Sequence, residues 1–397
     1  MQVTGADCVI LSCPPADADP LNTAHDNALV RVYTDEGITG IGEVECNPWV
    51  VKALVEASGY HHADRSLAEL LIGQNPAHPQ AIWDRLYQQS ILTARRGAGI
   101  GAIGAIDMAL WDIYGKASSK PIWQLLGGAV HKTVVPYASL LPYGQTLANY
   151  RDNLIEKAKW ACQAGFRAIK VEILIRGPHA QPGLNETDDA IVGLVAECRS
   201  AIGPATDLLL DVGYCWSDWK HALSVIRRIE RYQPYFIETP LPPDDLKGYS
   251  RLCAAADVPI AAGELLTTRF EFEQWLEHDA VDIVQPDIGR VGGITEAMRV
   301  AQLARDRGKP VIPHCWKSAI GIAATVHVAV ASPGCPMIEF LPAPVSNSVL
   351  RQCLVENELE PVNGIIELPT HPGLGVTLNH EAVRKYTVSQ SPSLSYA

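Results

Sequence analysis

Three carboxylates close apolar runs in this 397-residue chain: Asp211 ends "DLLLD", Glu238 ends "YFIE" and Glu264 ends "VPIAAGE". The intervals, 211 to 238 and 238 to 264, are 27 and 26 residues. Each is about the length of one strand, one helix and two loops in a barrel of ~250 residues and eight such units. Three consecutive strands would then each deliver one carboxylate to the same rim. Taken singly, each acid could cap the following helix or form a salt bridge. Taken together, they would repel one another unless a cation sat among them. Oxygen-only ligands suit a hard divalent ion, Mg²⁺ or Mn²⁺, rather than Zn²⁺.

A second set follows at the same spacing. Asp287 ends "VDIVQPD" and His314 ends "PVIPH", 27 residues later. A carboxylate beside an imidazole orients it and stabilises its charged form, which makes a stronger base. Beside a metal, such a pair is a candidate general base. Glu339 in "MIEF" ends the last strand candidate and, if protonated, would hydrogen-bond a substrate oxygen; the alternative is a salt bridge at the barrel rim. In "IKVEI", Lys170 and Glu172 share one face of a strand because side chains alternate. Lys170 would balance the charge of a substrate carboxylate or enolate and Glu172 would act in proton transfer, unless the two form an inward ion pair. Lys317 is placed to open the helix after His314, where its ammonium and free N–H groups would hold an anion.

The elements that must position these groups read in two styles. Residues 1 to about 45 suggest short strands, with a turn at Asp35-Glu36-Gly37 and a polar, Pro-rich loop from Pro14 to Asn27. "AIGAIDMALWDIYGKASSKPIWQLLGG" reads as an amphipathic helix, a turn at Gly115, and a short helix ended by Gly127-Gly128. From about Thr133, eight strand candidates alternate with helical stretches, which indicates a parallel sheet closed into a barrel. Ser217 is the expected N-cap of the helix in "DWKHALSVIRRIERY". The long loop "LIRGPHAQPGLNETDD" is expected near the active site. The division is an α+β unit at 1–128, a barrel at 129–360, and a C-terminal segment, 361–397, expected to pack back on the N-terminal unit.

Composition narrows the partners. Hydrophobic content of 47% and charged content of 19% describe a globular chain with a large core. A net charge of −12, with no Lys/Arg block, argues against nucleic acid. Ten scattered cysteines without a C-x-x-C pair read as reduced thiols. No secretory signal is evident in "MQVTGADCVILSC", and no apolar stretch reaches the ~18 residues of a membrane span, so the cytoplasm is expected.

Together these parts suit metal-assisted removal of the proton alpha to a carboxylate. The chain resembles the enolase superfamily, mandelate racemase subgroup, over essentially its whole length. The matching segments are "AIDMALWDIYGK", "DVGYCW", "IETPL", "AGE", "QPDIGRVGG", "PHCW" and "IEF". The resemblance implies a modified (β/α)₇β TIM-type barrel under an α+β capping domain, and a homo-oligomer. It makes Asp211, Glu238 and Glu264 the metal ligands, His314 and Asp287 a dyad, and Glu339 a carboxylate-binding acid. It assigns specificity to the capping domain, here the Pro14–Asn27 loop and the stretch from Glu43 to Trp49. Separately from the resemblance, Trp316 and Lys317 are expected at the substrate, although an exposed lysine is equally common at such a position.

Two departures stand out. The subgroup's Lys-x-Lys is Lys170-x-Glu172 here, which counts against a racemase. Its Asp-x-Asn is Asp211-x-Gly213, which is expected to open space beside the metal. The favoured activity is a dehydratase of aldonates or aldarates giving a 2-keto-3-deoxy acid, with His314 as base. The alternatives are a cycloisomerase opening a sugar lactone or anhydro ring, and a non-catalytic binding protein. The last predicts loss of the ligands or the dyad, and all five positions are filled.

Overall fold

The computed structural model describes residues 1–13, 26–59, 61, 65–316, 318–346 and 348–389. It begins with an antiparallel sheet of β1 (Val3–Ser12), β2 (Asp26–Thr34) and β3 (Thr39–Val44), in the order β1-β2-β3. The β2–β3 turn is at Asp35-Glu36-Gly37, where Gly37 takes φ +77° and donates its N–H to Thr34. The long helix Ala98–Ser118 lies across this sheet.

That helix differs from the amphipathic segment read from sequence. Sixteen of its 21 residues are buried, because it is wedged between the small sheet and the barrel. A helix buried all round needs small residues where backbones approach. A Cβ on Gly42 would meet the Ala105 carbonyl at 2.0 Å, and one on Gly104 would meet the Gly289 carbonyl at 2.7 Å. Gly115 is not a turn either. The helix runs on to Ser118, and a Cβ at Gly115 would lie 2.5 Å from Gly373, so this glycine admits the C-terminal segment.

After β4 (Thr133–Val134), the chain builds the parallel sheet. Its strands are β5 (Pro136–Leu140), β6 (Ala168–Glu172), β7 (Asp207–Asp211), β8 (Phe236–Glu238), β9 (Ile260–Ala262), β10 (Ile283–Val284) and β11 (Ile338–Phe340), in the order β10-β9-β8-β7-β6-β5-β11. Residues 311–314 close the ring. They bridge to β10 at Val284–Val311 and continue the pairing at Asp287–His314, while Glu339 N–H of β11 donates to the Pro313 carbonyl at 3.2 Å. Later, β12 (Ile366–Glu367) pairs with β4, and Val388 N–H donates to Ile10 in β1.

Inside the ring sits a separate apolar cluster: Tyr137, Ala168, Leu209, Phe236, Ala261, Ile283, Ile312 and Met337, one from each of the eight strand positions. Side chains alternate along a strand, so the next inward residue is two further on. Adding two gives Ser139, Lys170, Asp211, Glu238, Gly263, Gln285, His314 and Glu339. One apolar layer thus supports a layer made almost wholly of polar side chains at the strand ends.

The small sheet is latched to the barrel by Glu43, which is 1% exposed. Its carboxylate accepts from Ser318 N–H (3.0 Å), Gly321 N–H (2.7 Å), the Ser318 hydroxyl (2.7 Å) and Asn27 Nδ2 (2.6 Å). It caps the N-terminus of the helix Ala319–Ala331, where free N–H groups favour negative charge. Elsewhere, Asp218 rather than Ser217 caps the helix Trp219–Ile229, because its carboxylate reaches the N–H groups of Lys220 and His221. None of the ten cysteines, all among the described residues, is paired in a disulfide. No helix among the described residues is long and apolar enough to cross a membrane. Glu43→Ala leaves buried donors unpaired and should cost about 3 kcal/mol. This would appear as a lowered thermal unfolding temperature, and a parent-like temperature would contradict the latch.

Candidate active site

The strand ends bring the expected acids together. Asp211, Glu238 and Glu264 each offer a carboxylate oxygen within 4.8 Å of the other two. Asp211 and Glu238 are register partners on β7 and β8, and Glu172 of β6 is the partner of Asp211, so all three share one row. Glu264 lies just beyond β9, reached through Gly263 at φ +128°.

Lys170 is sealed beneath this row at 1% exposure. Its Nζ is 2.9 Å from Glu238 Oε1, 2.8 Å from Glu339 Oε1 and 3.8 Å from Asp211 Oδ2. The lysine therefore binds the acids to one another rather than reaching into the cavity. Glu339 also differs from the protonated donor considered from sequence. Burial acts against its charge, but Lys170 and His314 outweigh this and hold the carboxyl below its usual range. Its other oxygen accepts from Cys315 N–H at 2.8 Å.

His314 and Asp287 meet as expected, with Nδ1 2.8 Å from Asp287 Oδ2. The other ring nitrogen, Nε2, faces Glu264 Oε2 at 3.2 Å and Glu339 Oε2 at 3.7 Å. Burial disfavours the imidazolium, yet Glu339, Glu264 and the hydrogen bond to Asp287 raise His314 to about 10. Asp287 also accepts from Arg290 N–H at 2.9 Å, which fixes its carboxylate as the cap of the turn that follows.

These groups open on a cavity of about 360 Å³ lined by Glu172, Asp211, Tyr214, Glu264, His314 and Trp316, among others. The loop after β6 forms one wall, through Leu174, His179 and Gln181, as its length led us to expect. Burial, with Asp211 adding to it, pushes the Glu172 carboxyl well above the usual range, favouring its neutral form. Gly213 lines this cavity beside Asp211, with the Leu174 side chain against it, and a Cβ there would lie 2.4 Å from the leucine methyl.

The cap residues fall out differently. Glu43 does not line this cavity, because its carboxylate is spent on the helix below it. Trp49, half-buried at the start of the helix Pro48–Glu56, does not line it either. Glu45 does, pairing with Arg290 Nη2 at 2.6 Å. Lys317 and most of the Pro14–Asn27 loop, residues 14–25, lie outside the described residues.

Sequence reading missed four groups besides Glu45. Thr239 Oγ1 donates to Asp211 Oδ1 at 2.6 Å, and Gln285 Nε2 donates to Glu238 Oε2 at 2.8 Å. Tyr214 OH donates to Glu264 Oε1 at 2.5 Å, and Arg290 Nη1 reaches the Glu264 carbonyl at 3.3 Å. Gln285 was available by counting two from Ile283. Nothing in the spacing favoured Glu45 over Glu43, since two strand residues apart share a face. Among the described residues, seven acidic side chains (Glu45, Glu172, Asp211, Glu238, Glu264, Asp287, Glu339) surround three groups able to be cationic, Lys170, Arg290 and His314. That excess, in a set of oxygen donors, fits a divalent cation at the three acids.

Comparison with known proteins agrees with this geometry. Residues 9–127 match the mandelate racemase / muconate lactonizing enzyme N-terminal domain, and residues 153–383 match the enolase C-terminal domain-like family. D-galactarolactone cycloisomerase of Agrobacterium fabrum is 31% identical, over 91% of each chain. Arabinonate dehydratase of Saccharolobus solfataricus is 31% identical, over 90% of this chain and 89% of that one. D-galactonate dehydratase of Ralstonia pickettii is 33% identical, over 89% of each. Among solved structures, the 3,6-anhydro-D-galactonate cycloisomerase of Zobellia galactanivorans superposes with TM-score 0.85 at 28% identity, over 98% of this chain and 100% of that one. With both domain models matched and the acids and dyad at the barrel's strand ends, the chain belongs to the enolase superfamily, in its mandelate racemase subgroup.

Proposed function

We propose that the protein is a sugar-acid dehydratase that removes the proton alpha to an aldonate or aldarate carboxylate and then expels the beta-hydroxyl as water. The observation that carries this reading is the His314–Asp287 dyad at 2.8 Å, whose imidazole lines one cavity together with Asp211 and Glu264 of the three clustered carboxylates. The relatives at 31–33% identity named as arabinonate and D-galactonate dehydratases support the substrate class.

Asp211, Glu238 and Glu264 would hold Mg²⁺, with Mn²⁺ as a substitute. When bound, the ion supplies positive charge that stabilises the carboxylate as its alpha proton leaves and offsets Glu264, freeing His314 to accept that proton. His314 takes the proton at Nε2, while Asp287 holds Nδ1 and stabilises the imidazolium. The imidazolium then donates the same proton to the departing beta-hydroxyl, and the enol tautomerises to a 2-keto-3-deoxy acid. One bifunctional residue suffices, which suits a site where Lys170 is sealed among Glu238 and Glu339. Glu172, which lines the cavity and whose neutral form burial favours, would donate a hydrogen bond to a substrate hydroxyl.

A second reading is carried by the two cycloisomerases among the relatives and solved structures. Opening a lactone or anhydro ring uses the same proton abstraction with a ring oxygen as leaving group. Product mass separates the two: dehydration loses one water, and cycloisomerisation leaves the mass unchanged. A sugar-acid library incubated with Mg²⁺ and assayed for 2-keto acids identifies the substrate.

His314→Asn should abolish turnover while Mg²⁺ still binds. Full activity in that variant would sink the assignment. Metal binding should also depend on pH. Burial, only partly opposed by Lys170 and reinforced by Asp211, raises Glu238 to about 8. Below that value the carboxyl keeps a proton that the cation must displace, so Mg²⁺ affinity should weaken from about pH 9 to about pH 6, with protons released on binding. Calorimetry in buffers of different ionisation enthalpy measures both, and a flat profile without proton release would contradict it.

A further inference from the structure

We infer that Tyr214 is a positioning residue for Glu264: its hydroxyl holds one carboxylate oxygen so that the other is presented to the cation and to His314. This rests on the reading of Asp211, Glu238 and Glu264 as metal ligands, and goes beyond it to a residue outside that set.

The three acids are supported unequally. Asp211 Oδ1 accepts from Thr239 Oγ1 at 2.6 Å and Gly213 N–H at 2.9 Å. Glu238 is held from both sides, by Lys170 at 2.9 Å and Gln285 at 2.8 Å. For the Glu264 carboxylate, the hydrogen-bond donor among the described residues, other than the His314 ring, is Tyr214 OH at 2.5 Å. That bond occupies Oε1, and Oε2 remains 3.2 Å from His314 Nε2.

The backbone is bent to deliver this phenol. The segment after β7 continues its ladder beside the segment after β8. Val212 N–H donates to Glu238, Tyr214 N–H to Thr239 at 2.6 Å, and Trp216 N–H to Pro240 at 3.1 Å. Gly213 and Tyr214 stand consecutively in the left-handed region, at φ +52° and +59°. Thr239 across the ladder is at φ +49°. A left-handed non-glycine residue costs of order 1 kcal/mol, and two facing each other at a site is a pattern that function maintains. The turn aims the Tyr214 ring past β8 to Glu264 beyond β9, where it packs edge-on against His179 at 5.6 Å. A tyrosine needing only a partner for its hydroxyl would be satisfied by a backbone carbonyl. Here the acceptor is a ligand of the cluster, and groups that hold ligand carboxylates tune metal affinity.

The test is a cycle of Tyr214→Phe and Glu264→Gln, singly and combined, with Mn²⁺ binding followed by the electron paramagnetic resonance of the free ion. Phenylalanine keeps the ring and its contact with His179 and removes one oxygen. Tyr214→Phe should weaken Mn²⁺ binding roughly tenfold. In the Glu264→Gln background, it should produce no further weakening, because the carboxylate it acts through is gone. An unchanged Mn²⁺ affinity for Tyr214→Phe overturns the inference, and so does equal weakening in both backgrounds, which marks general damage to the fold. If the parent protein binds no Mn²⁺, the metal centre itself is overturned, a result distinct from the other two.

Discussion

One buried ammonium holds this site together. Lys170 lies inside the barrel within 3.8 Å of Asp211, Glu238 and Glu339, shut off from bulk solvent. Carboxylates placed so closely repel strongly in a low-dielectric interior, and one positive charge offsets only part of that repulsion. The remainder is what makes the cluster competent to take a divalent cation. The same lysine holds Glu339 below its usual range, while for Glu172, further along β6, burial and Asp211 outweigh it and push the carboxyl up. Lys170, two residues before Glu172, is thus placed as a counter-ion to the acids, which leaves His314 as the base in the proposed reaction.

The cluster needs a rigid support, and the barrel supplies it by alternation. An apolar layer of eight side chains fills the ring, and the polar layer stands directly above it. Strand pairing fixes the heights, since Glu172, Asp211 and Glu238 are register partners. The capping sheet then closes the mouth. Glu43 fastens it to the helix after His314, while Glu45 pairs with Arg290 over the cavity. Two acids, two positions apart, do unrelated work: one is consumed as a latch and the other faces the substrate space.

Much of this was legible in the chain. The spacing of Asp211, Glu238, Glu264, Asp287 and His314 tracks the repeat of the barrel unit, and the structure brings all five to one rim. The loop after β6 was recognisable by length. The errors have a common origin. Gly115 was read as a turn, yet it lies in a helix against Gly373, distant in sequence. The long helix was read as half-exposed because its partners, the small sheet and the barrel, are not local.

What the sequence determined by itself was therefore periodic: strand ends, their order, and the residue types they deliver. Periodicity is a property of the local backbone, and a spacing of 26 or 27 residues survives any detail of packing. What only the tertiary structure decided was which atom meets which. Lys170 turned to the acids rather than the cavity, Glu43 to a helix terminus, and Tyr214 to Glu264, 50 residues ahead. Those choices depend on desolvation and on the full set of neighbouring donors and acceptors, which exist only once the barrel has closed and the cap has docked. The three carboxylates could be read as a metal site from their spacing; how each is held, and which group beside them moves the proton, could not.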